Sequence, residues 1–168
     1  MSYFILEIHE AYTPPKLIKW HGILDPKTLH EKKRNLIPKY TIYHITPHIQ
    51  TVFTDLILHP CFMVSEKMME TIKLYDPYLH FERIVLADQA TKKVCIYYIP
   101  ILEKLDILTD KSTLENIEIA GGKIKGRAIF QIEHHGKVDV IAHLDLVESL
   151  LRRKVIGIEL KAIDIKGE

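Results

Sequence analysis

Cysteine is scarce in this chain, with two, Cys61 and Cys95, among 168 residues. Each sits among apolar neighbours, Pro60-Cys61-Phe62 and Val94-Cys95-Ile96. That is the setting of an inert buried thiol, and it argues against a disulfide framework or a reactive nucleophile. An excess of one charge is lacking as well, since 23 Lys and Arg face 22 Asp and Glu for a formal net charge of +1. A dedicated nucleic-acid binder carries a strong basic footprint, so no direct nucleic-acid binding is expected. No apolar run approaches the roughly 20 residues that cross a bilayer. Pro, His, Lys or Asp interrupts every hydrophobic stretch, and no membrane association is expected. The start, Met1-Ser2-Tyr3-Phe4-Ile5-Leu6-Glu7, has neither a basic n-region nor an apolar h-region followed by a small-residue cleavage site, which predicts a protein that is not secreted.

What is present is the composition of a globular domain, 47% hydrophobic and 27% charged. Disorder is excluded as the main state, and a chain of this length buries roughly 70% of its unfolded surface without disulfides or a structural metal. Residues 3–9 alternate like a strand and are stopped by Thr13-Pro14-Pro15. Residues 16–39 are polar and weakly periodic, a loop with at most one short helix, and 40–45 read as a second strand ended by Thr46-Pro47.

The clearest signal follows at 64–77. Ser65 is a good N-cap, Glu66 suits the positive end of a helix, Met68, Met69, Ile72 and Tyr75 share one face, and Pro77 stops it. Residues 81–87 and 93–99 are β-rich runs around a hairpin turn at 88–92. Strands are expected at 117–119, 128–133 and 138–143, with turns at Gly121-Gly122 and His134-His135-Gly136-Lys137. Asp145 is placed to cap a helix with Leu146, Val147, Leu150 and Leu151 on its apolar face, ended by Gly157, and 158–165 read as a final strand. No internal repeat is visible. Grouped strands with two separate helices predict an α+β fold, mainly antiparallel, in one domain over 1–168 or in two lobes divided near 104–115.

The candidate chemistry is thin. The pair in His44-Ile45-Thr46-Pro47-His48 is spoiled as a helix-borne metal site by Pro47, and no His-Glu-x-x-His occurs. Gly121-Gly122-Lys123-Ile124-Lys125-Gly126 lacks the order of a phosphate loop and leads into a strand, so no helix dipole serves an anion there. Asp145 and Glu148, with His143 nearby, would suit a small hydrolase, but Glu148 and Arg152 also form an ordinary i,i+4 pair. No metal, cofactor or catalytic set is therefore assigned.

Several motifs in order carry a resemblance. These are Met63-Val64-Ser65-Glu66-Lys67, Ile96-Tyr97-Tyr98-Ile99-Pro100, Ala128-Ile129-Phe130-Gln131-Ile132, and Leu144-Asp145-Leu146-Val147-Glu148-Ser149-Leu150-Leu151-Arg152-Arg153 followed by Gly157-Ile158. Over about 58–165 the chain resembles a bacterial family, once catalogued as a domain of unknown function, of immunity proteins from polymorphic toxin systems. The resemblance implies a cytoplasmic protein that binds a cognate protein toxin, often a nuclease, and neutralises it by occlusion. It implies no catalytic residues, and residues 1–57 lie outside it.

Recognition is expected of the irregular segment 12–48, because loops carry variable recognition and large aromatics carry interface energy. The candidate partner-binding residues are Tyr12, Trp20, Tyr43, His44 and His48. The competing expectations are a small hydrolase and a ligand-binding domain.

Overall fold

The structure, a computed structural model, describes residues 2–24, 29, 41–113, 117–124 and 126–166. In chain order its elements are β1 (Tyr3–Ile8), β2 (Ile42–His44), β3 (Leu56–Ile57), β4 (Met63–Val64), α1 (Glu66–Tyr75), β5 (Phe81–Asp88), β6 (Lys93–Pro100), β7 (Glu118–Ala120), β8 (Ile129–His134), β9 (Lys137–His143), α2 (Leu144–Arg152), β10 (Ile158–Ala162) and β11 (Asp164–Lys166). The fold is α+β and dominated by strands. The ladders are antiparallel except β2 with β5 and β7 with β11. The short helix allowed for 16–39 falls largely outside the described residues. No helix among those described is long and apolar enough to cross a membrane.

The strands form a five-stranded sheet in the order β2-β5-β6-β4-β3, a four-stranded sheet in the order β10-β1-β9-β8, and the pair β11-β7. A repeated topology, invisible in the sequence, organises the two larger sheets. β4 and β5 flank β6, both antiparallel to it, and α1 connects them. β9 and β10 likewise flank β1, and α2 connects them. Each sheet thus contains a split βαβ unit, a strand–helix–strand crossover with a third strand inserted between. β1 lies in the sheet built from the end of the chain, so a division near 104–115 does not separate the two sheets.

The two helices lie between the sheets. Met68, Met69 and Ile72 of α1 and Leu146, Val147 and Leu150 of α2 are buried, in one apolar cluster with Leu6, Leu56, Val64, Ile129, Val140 and Ala142. A second cluster, including Tyr43, Ile84, Leu86, Tyr97 and Ile99, fills the opposite face of the five-stranded sheet against the N-terminal loop. A third, including Ile5, Phe130, Ile132 and Ile119, joins the four-stranded sheet to the β7–β11 pair.

Three local expectations are corrected. The helix cap is His143, whose Nδ1 accepts from the Asp145 backbone N–H at 3.3 Å, while Asp145 sits in the first turn where its charge suits the dipole. The left-handed residue that ends α2 is Lys154 (φ 54°), two residues beyond Arg152. The final strand is two, because the chain crosses at Ile163 from the four-stranded sheet to β7. By contrast Ser65 caps α1 as expected, its Oγ accepting from the Met68 backbone N–H.

The helices run antiparallel. Tyr75, at the end of α1, donates to the Asp145 carbonyl at 2.9 Å, and its hydroxyl lies 2.5 Å from Ser149 Oγ. At the other end Asp55, 6% exposed, collects three bonds. Ser65 Oγ donates to it at 2.6 Å, Lys67 Nζ at 2.8 Å and the Ile156 backbone N–H at 2.7 Å. Burial on its own raises this carboxyl, but those bonds and the Lys67 charge outweigh it and hold the group below its ordinary value of 3.8.

Because the folded value is the lower one, the contribution of Asp55 to stability is complete above about pH 4 and is lost as pH falls through the folded value. Asp55→Asn should cost about 2 kcal/mol, the loss expected when a buried charged acceptor of hydrogen bonds is replaced, the Lys67 side chain being half-exposed. Urea unfolding across pH 2–7 checks both points, since the variant should also lose part of the acid-side slope. Gly157 combines a φ of +84° with a close approach, a Cβ there falling 2.5 Å from Thr54 Cγ2. Gly157→Ala should cost about 3 kcal/mol, and Thr54→Ser in the same chain should recover part of it by removing that methyl. No recovery in the urea midpoint would assign the need for glycine to the Thr54 Cβ, 2.7 Å away and kept in the serine variant, and to the positive φ.

Candidate functional site

Two features stand out on the described surface. The first is on the helix-side face of the five-stranded sheet. Register places Ile42, Val85 and Ile96 in one cross-strand row and His44, Ala87 and Val94 in the next. On the other side of the Ile42 row lie Arg83 and Tyr98, then Phe81 and Pro100. α1 covers only the last part, where Phe81 and Tyr98 pack into the central cluster and Lys73 Nζ lies 5.4 Å from the Phe81 ring centre. The reason is length. Ten helical residues span about 15 Å, whereas the eight residues of β5 or β6 span about 27 Å.

The uncovered rows are apolar and open, with Ile42 59%, Val94 61% and Ile96 41% exposed. A contiguous apolar patch of this kind is uncommon on a protein without a use for it. Arg83 is exposed on the same face and makes no ion pair among the described residues. His44 is exposed at the far end of the face, beyond the Ile42 row, and Lys92 stands in the adjoining β5–β6 turn. The strand positions of this face carry no acidic side chain among the described residues, so the patch has a cationic rim.

The second feature is a cavity of about 640 Å³ where the β3–β4 connection, residues 20–22, β1 and the β8–β9 hairpin come together. Leu6, Leu58, Phe62 and Val140 give it apolar walls, and His21, His59, Gln131 and Lys137 add polar groups. Trp20 also lines it, stacked on His21 at 4.0 Å between ring centres and edge-on to His59 at 5.1 Å. The Lys137 ammonium is paired with Asp139 at 2.8 Å. The hairpin bordering it turns through His135 (φ 48°) and Gly136 (φ 79°), both left-handed as a type I′ turn requires.

Two of the five sequence candidates lie on these features. His44 lies on the exposed sheet face and Trp20 on the cavity. Tyr12 is half-buried and edge-on to His9, near the bridge from Thr13 to Thr51. His48 is exposed in the turn just before that bridge, its Nδ1 accepting from the Gln50 N–H at 3.2 Å. Tyr43 is corrected. It is 3% exposed and belongs to the core, because the alternation that turns Ile42 and His44 outward turns it inward. Ile42, Val94, Ile96 and Gln131 were missed. The signal for Val94 and Ile96 was the run Val94-Cys95-Ile96-Tyr97-Tyr98-Ile99, which is apolar on both strand faces, as a strand needing cover on both sides would be.

The His143–Asp145–Glu148 grouping has a local explanation. His143 Nδ1 caps α2 and lies 3.4 Å from the Asp145 carboxylate, and Glu148 accepts from Arg152 at 3.1 Å on the exposed side of the helix. Among the described residues no group of three metal-ligating side chains forms. Both cysteines are free, with Cys61 buried and Cys95 half-buried. Burial pushes both thiols up, opposed at Cys95 by the Lys93 charge. Compared with models of known families and with curated proteins, the chain matches none.

Only the thiolate alkylates, so iodoacetamide at pH 8 should leave Cys61 of the folded protein unmodified and label Cys95 slowly, with both reacting in urea. Peptide mapping by mass spectrometry reads the outcome, and labelling of Cys61 without urea would contradict its burial.

Proposed function

We propose that this protein is an immunity-type inhibitor that binds a protein toxin on the uncovered half of the five-stranded sheet and neutralises it by occlusion. The observation that carries this reading is the pair of exposed rows Ile42–Val85–Ile96 and His44–Ala87–Val94 beside Arg83, which makes no ion pair among the described residues. Such a surface has the anatomy of an interface, with an apolar centre and a charged rim. The rim is cationic, so the partner is a toxin presenting an apolar patch bordered by carboxylates. Complementary charge raises the rate of encounter, and the apolar rows supply the affinity. The motif resemblance over 58–165 supports the same reading, because it covers β5, β6 and α1. The rim also narrows the toxin, since occlusion of a nuclease at its basic substrate cleft would bring like charges together.

Co-expression in a bacterial host tests this. A tagged copy retrieves the partner from the source cells, and the partner's toxic domain is then produced alone and with the candidate inhibitor. The wild-type chain should restore growth. Ile96→Glu should abolish protection while costing about 1 kcal/mol and leaving the chain folded. Leu74→Glu, at an exposed position of α1, should leave protection intact. Growth restored equally by Ile96→Glu would remove this face from the function, and failure of the wild-type chain to restore growth would end the immunity reading. Self-association lost with Ile96→Glu, seen by analytical ultracentrifugation, would assign the face to a second copy instead.

A further inference from the structure

We infer that the cavity between the β3–β4 connection and the β8–β9 hairpin is a binding site for an uncharged amide carrying an apolar group, held by Gln131. This goes beyond the docking reading and rests on different residues.

Among the described residues six polar side chains are buried: Thr54, Asp55, Thr71, Asp88, Gln131 and Asp139. Five have partners. Thr54 donates to the Leu56 carbonyl, Thr71 to the Lys67 carbonyl, Asp55 receives three bonds, Asp88 accepts from Ala90 and Thr91, and Asp139 pairs with Lys137. Gln131 is 9% exposed, and its side chain bonds to no described group. Its backbone, in contrast, is fully used, donating to the Glu103 carbonyl and accepting from the Leu105 N–H. The amide is not sealed inside the protein: it lines the cavity, where it keeps some accessibility and no described protein group bonds it, so it is free to bond a guest there.

The chemistry of the amide selects the ligand. Its oxygen needs a donor and its nitrogen needs an acceptor. A carboxylate leaves the oxygen unserved, and an ammonium leaves the nitrogen unserved. Another amide serves both. The ionised side chain at the rim, Lys137, is already compensated by Asp139, so the site has no strong preference for a charged ligand. Leu6, Leu58, Phe62 and Val140 complete the selection, since they offer the guest no hydrogen bond and reward an apolar substituent. At about 640 Å³ the cavity lies within the range of small-molecule sites and has room for an amide with a sizeable apolar substituent. That chemistry belongs equally to a free small amide and to a residue inserted from a bound protein.

Trp20 is the chain's single tryptophan and lines the cavity, so its fluorescence reports on this site alone. The test titrates three matched probes into the full chain: phenylacetamide, phenylacetate and phenethylamine. Phenylacetamide should shift Trp20 emission saturably, and the two charged analogues should bind at least tenfold more weakly. Gln131→Leu should weaken phenylacetamide at least tenfold and leave the urea midpoint unchanged or higher, because it removes an unpartnered polar group. Gln131→Met serves the same purpose if the leucine variant does not fold. With the toxin partner bound, displacement by phenylacetamide would identify an inserted residue as the natural occupant. Binding of phenylacetamide unaffected by the partner would identify a free small molecule. A response that never saturates, equal binding of all three probes, or undiminished binding by the Gln131 variants would overturn the inference.

Discussion

The structure turns on the Asp55 carboxylate. One buried anion joins three parts of the chain that are far apart in sequence: the approach to β3, the first turn of α1, and the turn after α2. Its backbone takes part as well, the N–H donating to the Ile156 carbonyl at 3.0 Å and the carbonyl accepting from the Ser65 N–H at 2.8 Å. The charge is also well placed against the helix ends. Asp55 stands at the positive end of α1, and Lys67, which it holds, reaches the Lys154 carbonyl at the negative end of α2. A buried anion is costly unless nearly every lone pair is used. Here the hydroxyl, the ammonium and the backbone N–H use them, and the remainder of the site depends on that arrangement.

The consequence is rigid placement of the two split βαβ units. Asp55 pins the helices at one end and Tyr75 at the other, so α1 and α2 act as a clamped antiparallel pair between the sheets. Gly157 follows from the same constraint. The turn carrying Ile156 must come so close to Thr54 that no Cβ fits, and the His9 N–H then bonds the Gly157 carbonyl at 3.0 Å, carrying the linkage into β1.

How legible this was depended on the range of the forces involved. Ser65 was legible because a cap acts within one helical turn. The β5–β6 hairpin was legible because its two runs are separated by five polar or small residues, with Asp88 bonding Ala90 and Thr91 across the turn. The face of Tyr43 was misjudged, because a three-residue strand is too short for its alternation to be told from an exposed aromatic. The break at Ile163 was unreadable for a different reason. Ile158, Leu160, Ile163 and Ile165 are all apolar, and only the sheets available in three dimensions decide where the chain crosses. Asp55 carried no signal at all, since its partners lie 10, 12 and 101 residues away. Gln131 sat in a run, Ala128-Ile129-Phe130-Gln131-Ile132, that reads as a strand core, and an amide in that position marks a cavity only once the opposite wall is known.

The same packing logic explains why the two unfilled features lie where they do. A helix clamped at both ends cannot slide along the sheet. α1 therefore covers the Phe81–Tyr98 end of β5 and β6, where its clamp holds it, and leaves the Ile42–Ile96 and His44–Val94 rows bare. A longer helix would have covered them and left the protein no apolar surface to offer. The cavity arises beyond the other edge of the same layer, where β3 and β4 are only two residues long and their connection, with Trp20 beside it, spans a gap to the β8–β9 hairpin that no helix fills. The short helix beside long strands and the short strands β3 and β4 thus produce an open apolar face at one end of the sheet and a polar-tipped cavity at the other. The two differ in the occupant they suit. A flat face with a charged rim gains most from a large rigid partner, whereas a cavity with a single unpartnered amide gains most from one complementary group.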